Sequence, residues 1–355
     1  MKKIIPFSPE KNIPIVFATD ETYAPYMSVT LQSILEHTST HLYYDFLVLT
    51  NGLSLDTQEK LTSQVSKYIN CNIRFLNIID FIDIDAKKFE IRAYYSIVTY
   101  YRIFIPHILS EYDKIIYVDC DMLLFSDISD VFLNTDISDK YIAGAPDIGI
   151  IKLFYENKKI ANYLKKEIGI NDISMYLQAG FIIFNLNMMR KDSIMEKMIS
   201  RLDKGYLEWQ DQDLLNFACK NKIVSLPMEW NVIYIYAINK DTLREKIPME
   251  IYRSFITSCD NIKCMHFANF PRPWTNPNFE EAIPWWETSG RTPFSYELIR
   301  RLSYNIEQQT KNNLRYNKKI YSFFSRNLNT KLSFLKKHLY GRKFISFVKN
   351  ILKNY

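Results

Sequence analysis

Apolar positions along this chain fall into short continuous runs separated by segments in which they recur every three or four residues. Residues 13–18 (IPIVFA) form one such run and end in Thr19, Asp20, Glu21 and Thr22, as expected for a strand buried on both faces that opens into a loop. In residues 26–37, Met27, Leu31, Ile34 and Leu35 stand at helical spacing. Residues 44–50 predict a second strand closed by Asn51 and Gly52, residues 54–69 a second helix and residues 71–79 a third strand. This βαβαβ order calls for a parallel sheet with crossover helices. Apolar runs at 114–125 (KIIYVDCDMLLF), 141–145 and 181–186 extend the sheet, and residues 210–220 predict a helix whose first-turn acids suit its positive end. The predicted fold is α/β, with a Rossmann-like, mostly parallel sheet flanked by helices.

With 355 residues and 47% hydrophobic content the chain can bury a large core, which excludes global disorder. Its 25 Tyr and 23 Phe supply rings for core and pocket alike. The five cysteines, Cys71, Cys120, Cys219, Cys259 and Cys264, contain no C-x-x-C pair. Neither a disulfide framework nor a zinc knuckle is suggested, and a reducing compartment is expected. Lys2, Lys3 and Lys11 surround too short an apolar stretch for a signal peptide, and no run of eighteen apolar residues occurs. The expectation is a cytoplasmic protein, soluble or peripheral at a membrane. Charge divides the chain: residues 300–355 hold 14 Lys and Arg against one acid, Glu307, whereas residues 1–299 hold 31 against 38. The predicted organisation is one α/β domain over residues 1–290 and a basic, aromatic-rich helical extension over residues 291–355.

The strongest chemical signal is Asp119-Cys120-Asp121 inside the apolar run 114–125. Residues i and i+2 of an extended backbone project to one side, so two carboxylates converge. Such a pair needs a cation, and Mg2+ or Mn2+ takes carboxylate oxygens together with substrate phosphate oxygens. D-x-D also arises by chance in exposed loops; here the apolar flanks argue for a strand end. Among five histidines, His266 in CMHFANFPRPW follows a short apolar segment, and an imidazole suits Mn2+ better than Mg2+. Asp20, Asp147, Gln178, Asp211, Gln212 and Asp213 stand near predicted strand or helix ends. Open parallel sheets bind ligands beyond the carboxyl ends of their strands, so these groups can share one cleft. Taken singly, each is an ordinary turn or cap residue.

As a set, IPIVFATDETY, TYYRIFIP, KIIYVDCDMLLFSDI, AGFIIFNL, QDQDLLN and HFANFPRPW resemble, in order, the retaining glycosyltransferases of family 8 over residues 13–274. That family includes bacterial lipopolysaccharide galactosyl- and glucosyltransferases and, more distantly, glycogenin. The resemblance implies a GT-A type fold, a UDP-sugar donor and Mn2+, with Mg2+ as the alternative. It places Ala18, Thr19, Asp20, Glu21, Thr22 and Tyr23 in the loop that binds uracil and ribose, Asp119 beside the ribose with Cys120 between the metal aspartates, and Arg102 near the phosphates and sugar. Asp147 and Gln178 become donor-sugar contacts. Asn269 and Arg272 take positions where Gly and Lys are usual, and Arg retains diphosphate binding. Asp119, Asp121 and His266 become metal ligands, and Asp211 and Gln212 flank the anomeric carbon.

The implied activity is transfer of a hexose, glucose or galactose, with retention, to a saccharide or lipid-linked saccharide acceptor in lipopolysaccharide or other surface-glycan synthesis. The basic tail, where rings alternate with Lys and Arg, predicts peripheral contact with an anionic membrane at its inner face; no nucleic-acid partner is expected. A nicotinamide-dependent dehydrogenase would need a glycine-rich phosphate turn, and no G-x-G occurs. The remaining rival is a non-catalytic UDP-sugar-binding protein on the same fold.

Overall fold

A computed structural model describes residues 3–8, 10–82 and 97–308. Most of the basic tail, residues 309–355, lies outside the described residues.

The strands are β1 (Asn12–Ala18), β2 (Tyr43–Thr50), β3 (Cys71–Asn77), β4 (Lys114–Val118), β5 (Met122–Leu124), β6 (Ile142–Pro146), β7 (Leu177–Asn185), β8 (Ile223–Ser225), β9 (Val232–Ile233) and β10 (Cys264–His266). Seven form the main sheet in the order β3-β2-β1-β4-β7-β6-β8, parallel except for β7, which runs antiparallel to both β4 and β6. A smaller sheet has the order β5-β10-β9. The mostly parallel α/β fold is as expected; the single reversed strand was not legible, because a doubly buried strand carries the same apolar run in either direction.

Strand β1 shows why the run is continuous. Val16 and Ala18 face one apolar cluster, while Ile13, Ile15 and Phe17 face the other. The helix Ala24–Leu35 is buried throughout and starts with Pro25 in its first turn. The helix Leu55–Val65 is capped by the Ser54 side chain, which accepts from Thr57 N–H. Helical residues 295–308 continue the fold beyond residue 290 and insert Leu298 and Leu302 into the second cluster.

The run 114–125 divides. Strand β4 ends at Val118 in the main sheet, and β5 begins at Met122 in the smaller one. Between them, Asp119 N–H donates to Gly180 O at 2.7 Å, and the Thr30 hydroxyl lies 2.9 Å from Cys120 O and 2.8 Å from Met122 O. The two aspartates therefore stand on a turn held from both sides. The registers finish the placement: β10 pairs antiparallel with β5, with His266 opposite Met122.

Candidate functional site

A cleft of about 310 Å3 opens where β1 and β4 end. At its floor Asp119, Asp121 and His266 offer one ligand atom each within 4.8 Å of one another. Their local partners differ. Asp119 accepts from Arg102 Nη2 at 2.8 Å and from the Tyr117 hydroxyl at 3.0 Å. Asp121 lies 3.1 Å from His266 Nε2 and 3.7 Å from Arg272 Nη2. The carboxylates are 23% and 13% exposed, toward the cleft, while His266 is buried. Burial raises the Asp121 carboxyl, but its contacts with His266 and Arg272 outweigh it and hold it below the usual carboxylate range. Two anionic oxygens and an imidazole nitrogen suit a divalent cation that also takes phosphate oxygens. His266 Nε2 and the two carboxylates face the same point of the cleft floor, so the donor set fits a metal.

Gly180 backs this floor. A Cβ there would come within 2.6 Å of His266 Cε1, 2.7 Å of Asp119 Oδ2 and 2.9 Å of Gln178 Oε1. No other residue type leaves the three groups in place.

The opposite wall is built on the helix Gln210–Cys219. Asp211 is buried and pairs with Arg102 Nε at 3.0 Å, so one guanidinium links Asp119 to Asp211. Burial, opposed by Arg102, pushes the Asp211 carboxyl up to about 6. Gln212 accepts from Ala179 N–H at 3.0 Å and donates to Asp147 Oδ2 at 2.9 Å. Asp147 Oδ1 in turn accepts from Gly149 N–H and Ile150 N–H at 2.9 and 3.0 Å, capping the helix Ile148–Glu156. Desolvation raises the Asp147 carboxyl too. Asp213 is saturated by the Tyr163 and Tyr176 hydroxyls and Trp209 N–H, which makes it a structural residue.

Ala18, Thr19, Asp20, Tyr23, Arg102, Asp119, Cys120, Asp121, Asp147, Gln178, Asp211, Gln212, His266, Asn269 and Arg272 all line this one cleft. Tyr23 hydrogen-bonds Arg272, and Asp20 accepts from Tyr23 N–H at 2.9 Å. Glu21 and Thr22 are not among the lining residues and are exposed. The Glu21 carboxylate accepts from Ser54 N–H at 2.9 Å and from the Ser54 and Thr57 hydroxyls at 2.8 and 2.6 Å, while Thr22 O accepts from Arg301 at 2.6 Å. The chain turns at Glu21 and Thr22, which carries both side chains out of the cleft, and these two serve packing. The Cys120 thiol lies against Ala18 O at 3.2 Å and is raised well above its ordinary value by burial. Sequence reasoning missed Asn231, Trp209 and Tyr236. Asn231 touches His266, and the other two line the cleft; a lone Asn or ring carries no pattern.

The sequence profile described as glycosyl transferase family 8 matches residues 14–277. A putative glycosyltransferase of Haemophilus influenzae is 26% identical, over 81% of this chain and 86% of its own length. The lipopolysaccharide 1,2-glucosyltransferase of Escherichia coli is 21% identical over 73% of this chain and 72% of its own. Among solved structures, the WbbM bifunctional glycosyltransferase superposes with a TM-score of 0.75 at 26% identity, over 84% of this chain and 53% of that larger one. The galactosyltransferase LgtC, in complex with donor and acceptor sugar analogs, gives 0.64 at 22% identity over 79% of this chain and 96% of its own, a likeness of fold. With the profile matched over most of its length and a metal-ligand cluster at the strand ends, the chain belongs to glycosyl transferase family 8.

Proposed function

We propose that this glycosyltransferase moves a hexose, glucose or galactose, from a UDP-sugar to a saccharide acceptor with retention of configuration, in lipopolysaccharide or other surface-glycan synthesis. The observation that carries this reading is the convergence of Asp119, Asp121 and His266 on the floor of a cleft whose opposite wall presents Asp211 and Gln212. Asp119, Asp121 and His266 would hold a divalent ion, Mn2+ in this reading, which when bound would supply positive charge to a departing diphosphate. Arg272 adds a bidentate cation for the same phosphates. Ala18, Thr19, Asp20 and Tyr23 form the nucleoside wall. Asp147 and Gln178 face the donor sugar, with Asn269 at the rim.

Attack from the front face suits this wall better than double displacement. Both ends of the Gln212 amide are engaged, by Ala179 N–H and Asp147, so it is positioned to orient rather than to swing. Asp211 then lends negative charge to an oxocarbenium-like carbon, as carboxylates do in glycoside hydrolysis.

The acceptor reading extends to a lipid-linked saccharide, with the basic tail resting peripherally on an anionic membrane at the cytoplasmic face. The tail's composition supports this, as do Tyr296 and Tyr304, which are 79% and 61% exposed on the helix leading into it. Among the described residues no helix is long and apolar enough to cross a membrane.

The test is UDP release from a panel of UDP-hexoses with Mn2+, repeated with EDTA and with Asp121→Ala. Metal-dependent release from one donor, lost in the variant, establishes the reaction and names the sugar. Tight UDP binding without release, with acceptor saccharides supplied, favours the non-catalytic binder instead.

A further inference from the structure

We infer that Asn231 and Gln178 form a positioning relay that fixes which nitrogen of His266 faces the metal site. The inference rests on reading Asp119, Asp121 and His266 as metal ligands. Gly180 N–H can only donate, and it lies 2.6 Å from one end of the Gln178 amide, so that end is oxygen. Asn231 approaches the same oxygen at 2.7 Å, so the Asn231 atom there is its NH2. The other end of Asn231 is therefore its carbonyl oxygen, and it lies 2.9 Å from His266 Nδ1. Nδ1 must then carry a proton, so Nε2, 3.1 Å from Asp121, is the nitrogen turned to the metal site. One backbone N–H of β7 thus sets two amide orientations and one imidazole tautomer.

Burial gives the relay its strength. Gln178, Asn231 and His266 are 9%, 4% and 1% exposed, so water competes weakly for these bonds and a reversed amide would set like groups against each other. Gln178 also lines the cleft. Its oxygen is committed to Gly180 and Asn231, so the group it offers a donor sugar is its NH2, a hydrogen-bond donor.

The experiment uses the full chain with Mn2+ alone as probe. Asn231→Ala is expected to weaken Mn2+ binding by calorimetry roughly 10- to 100-fold, the usual effect of removing a partner behind a ligating histidine. Long-range 1H–15N spectra of the metal-free protein should show the Nδ1–H tautomer at His266 in the wild type and a mixture in the variant. Asn231→Asp keeps an acceptor for Nδ1–H and should retain that tautomer, which a general loss of packing would not produce. A wild-type Nε2–H tautomer, or unchanged spectra and Mn2+ affinity in Asn231→Ala, overturns the relay. Failure of the wild type to bind Mn2+ removes the metal reading, while the spectra still decide the relay. Should Asn231→Ala not fold, Asn231→Leu and the wild-type tautomer carry the same two outcomes.

Discussion

The two walls of the cleft are both lined with buried or half-buried carboxylates, yet they are tuned in opposite directions. On the floor, His266 and Arg272 hold Asp121 below the usual carboxylate range. Across the cleft, burial lifts Asp211 to about 6 and raises Asp147 as well. The floor is thus kept anionic for a cation, and the far wall is kept near the edge of neutrality in a dry setting. Environments that push titratable groups apart mark division of labour in an active site. Arg102 is the hinge of this arrangement, since it reaches both Asp119 and Asp211.

The sharpest way to break the contrast is to remove the floor. Asp121→Ala is expected to lower UDP-hexose turnover by about 4 kcal/mol in the barrier, roughly a thousandfold, and EDTA should do the same to the wild type. Measured rates that fall only in the variant, and not with EDTA, would mean that Asp121 acts without a metal. Next in size is the hinge. Arg102→Met leaves Asp119 and Asp211 without their shared cation, and stability measured by urea should fall by about 3–5 kcal/mol. A smaller loss would show that the two walls are independently held. Gly180→Ala tests the floor's geometry without changing any charge: the collision with His266 and Asp119 should weaken Mn2+ binding roughly 10- to 100-fold.

The far wall is probed by pH. If Asp211 must be ionised to face a positively charged carbon, kcat/KM should fall about tenfold per pH unit below a pH of about 6. Asp211→Asn should flatten that limb. The sign for stability is opposite. A carboxyl raised from 3.8 to about 6 leaves the folded state holding more protons than the unfolded one in that window, so its contribution to stability declines as pH rises through it.

Much of this was legible in sequence, for identifiable reasons. Buried parallel strands announce themselves as apolar runs, and the interruption of one run by Asp119 and Asp121 marks the cleft floor. What sequence could not supply is whatever depends on distant pairing. The split of residues 114–125 between two sheets follows from β5 pairing with β10 and from Thr30, some ninety residues earlier. Asn231, just before β9, reaches His266 on the neighbouring strand β10 with no spacing in sequence to betray it. The first loop is a subtler case, because six consecutive residues were expected to face the nucleotide and a chain cannot aim six neighbours at one point.

That loop yields the smallest and most discriminating prediction. Glu21 is turned from the cleft to hold Ser54 and Thr57 at the start of the helix Leu55–Val65. Those contacts are mostly exposed, so Glu21→Ala should lower stability by roughly 0.5–1 kcal/mol. UDP affinity should stay unchanged. Asp20→Ala, at the residue immediately before but inside the cleft, should weaken UDP binding measurably. If the Glu21 variant instead loses UDP affinity, the loop turns over when nucleotide binds, and the division between its cleft-facing and packing-facing residues belongs to the empty cleft alone. If it does not, the Glu21 hydrogen bonds serve packing alone, and Asp20, which caps Tyr23 N–H at 2.9 Å, stays aimed into the cleft without them.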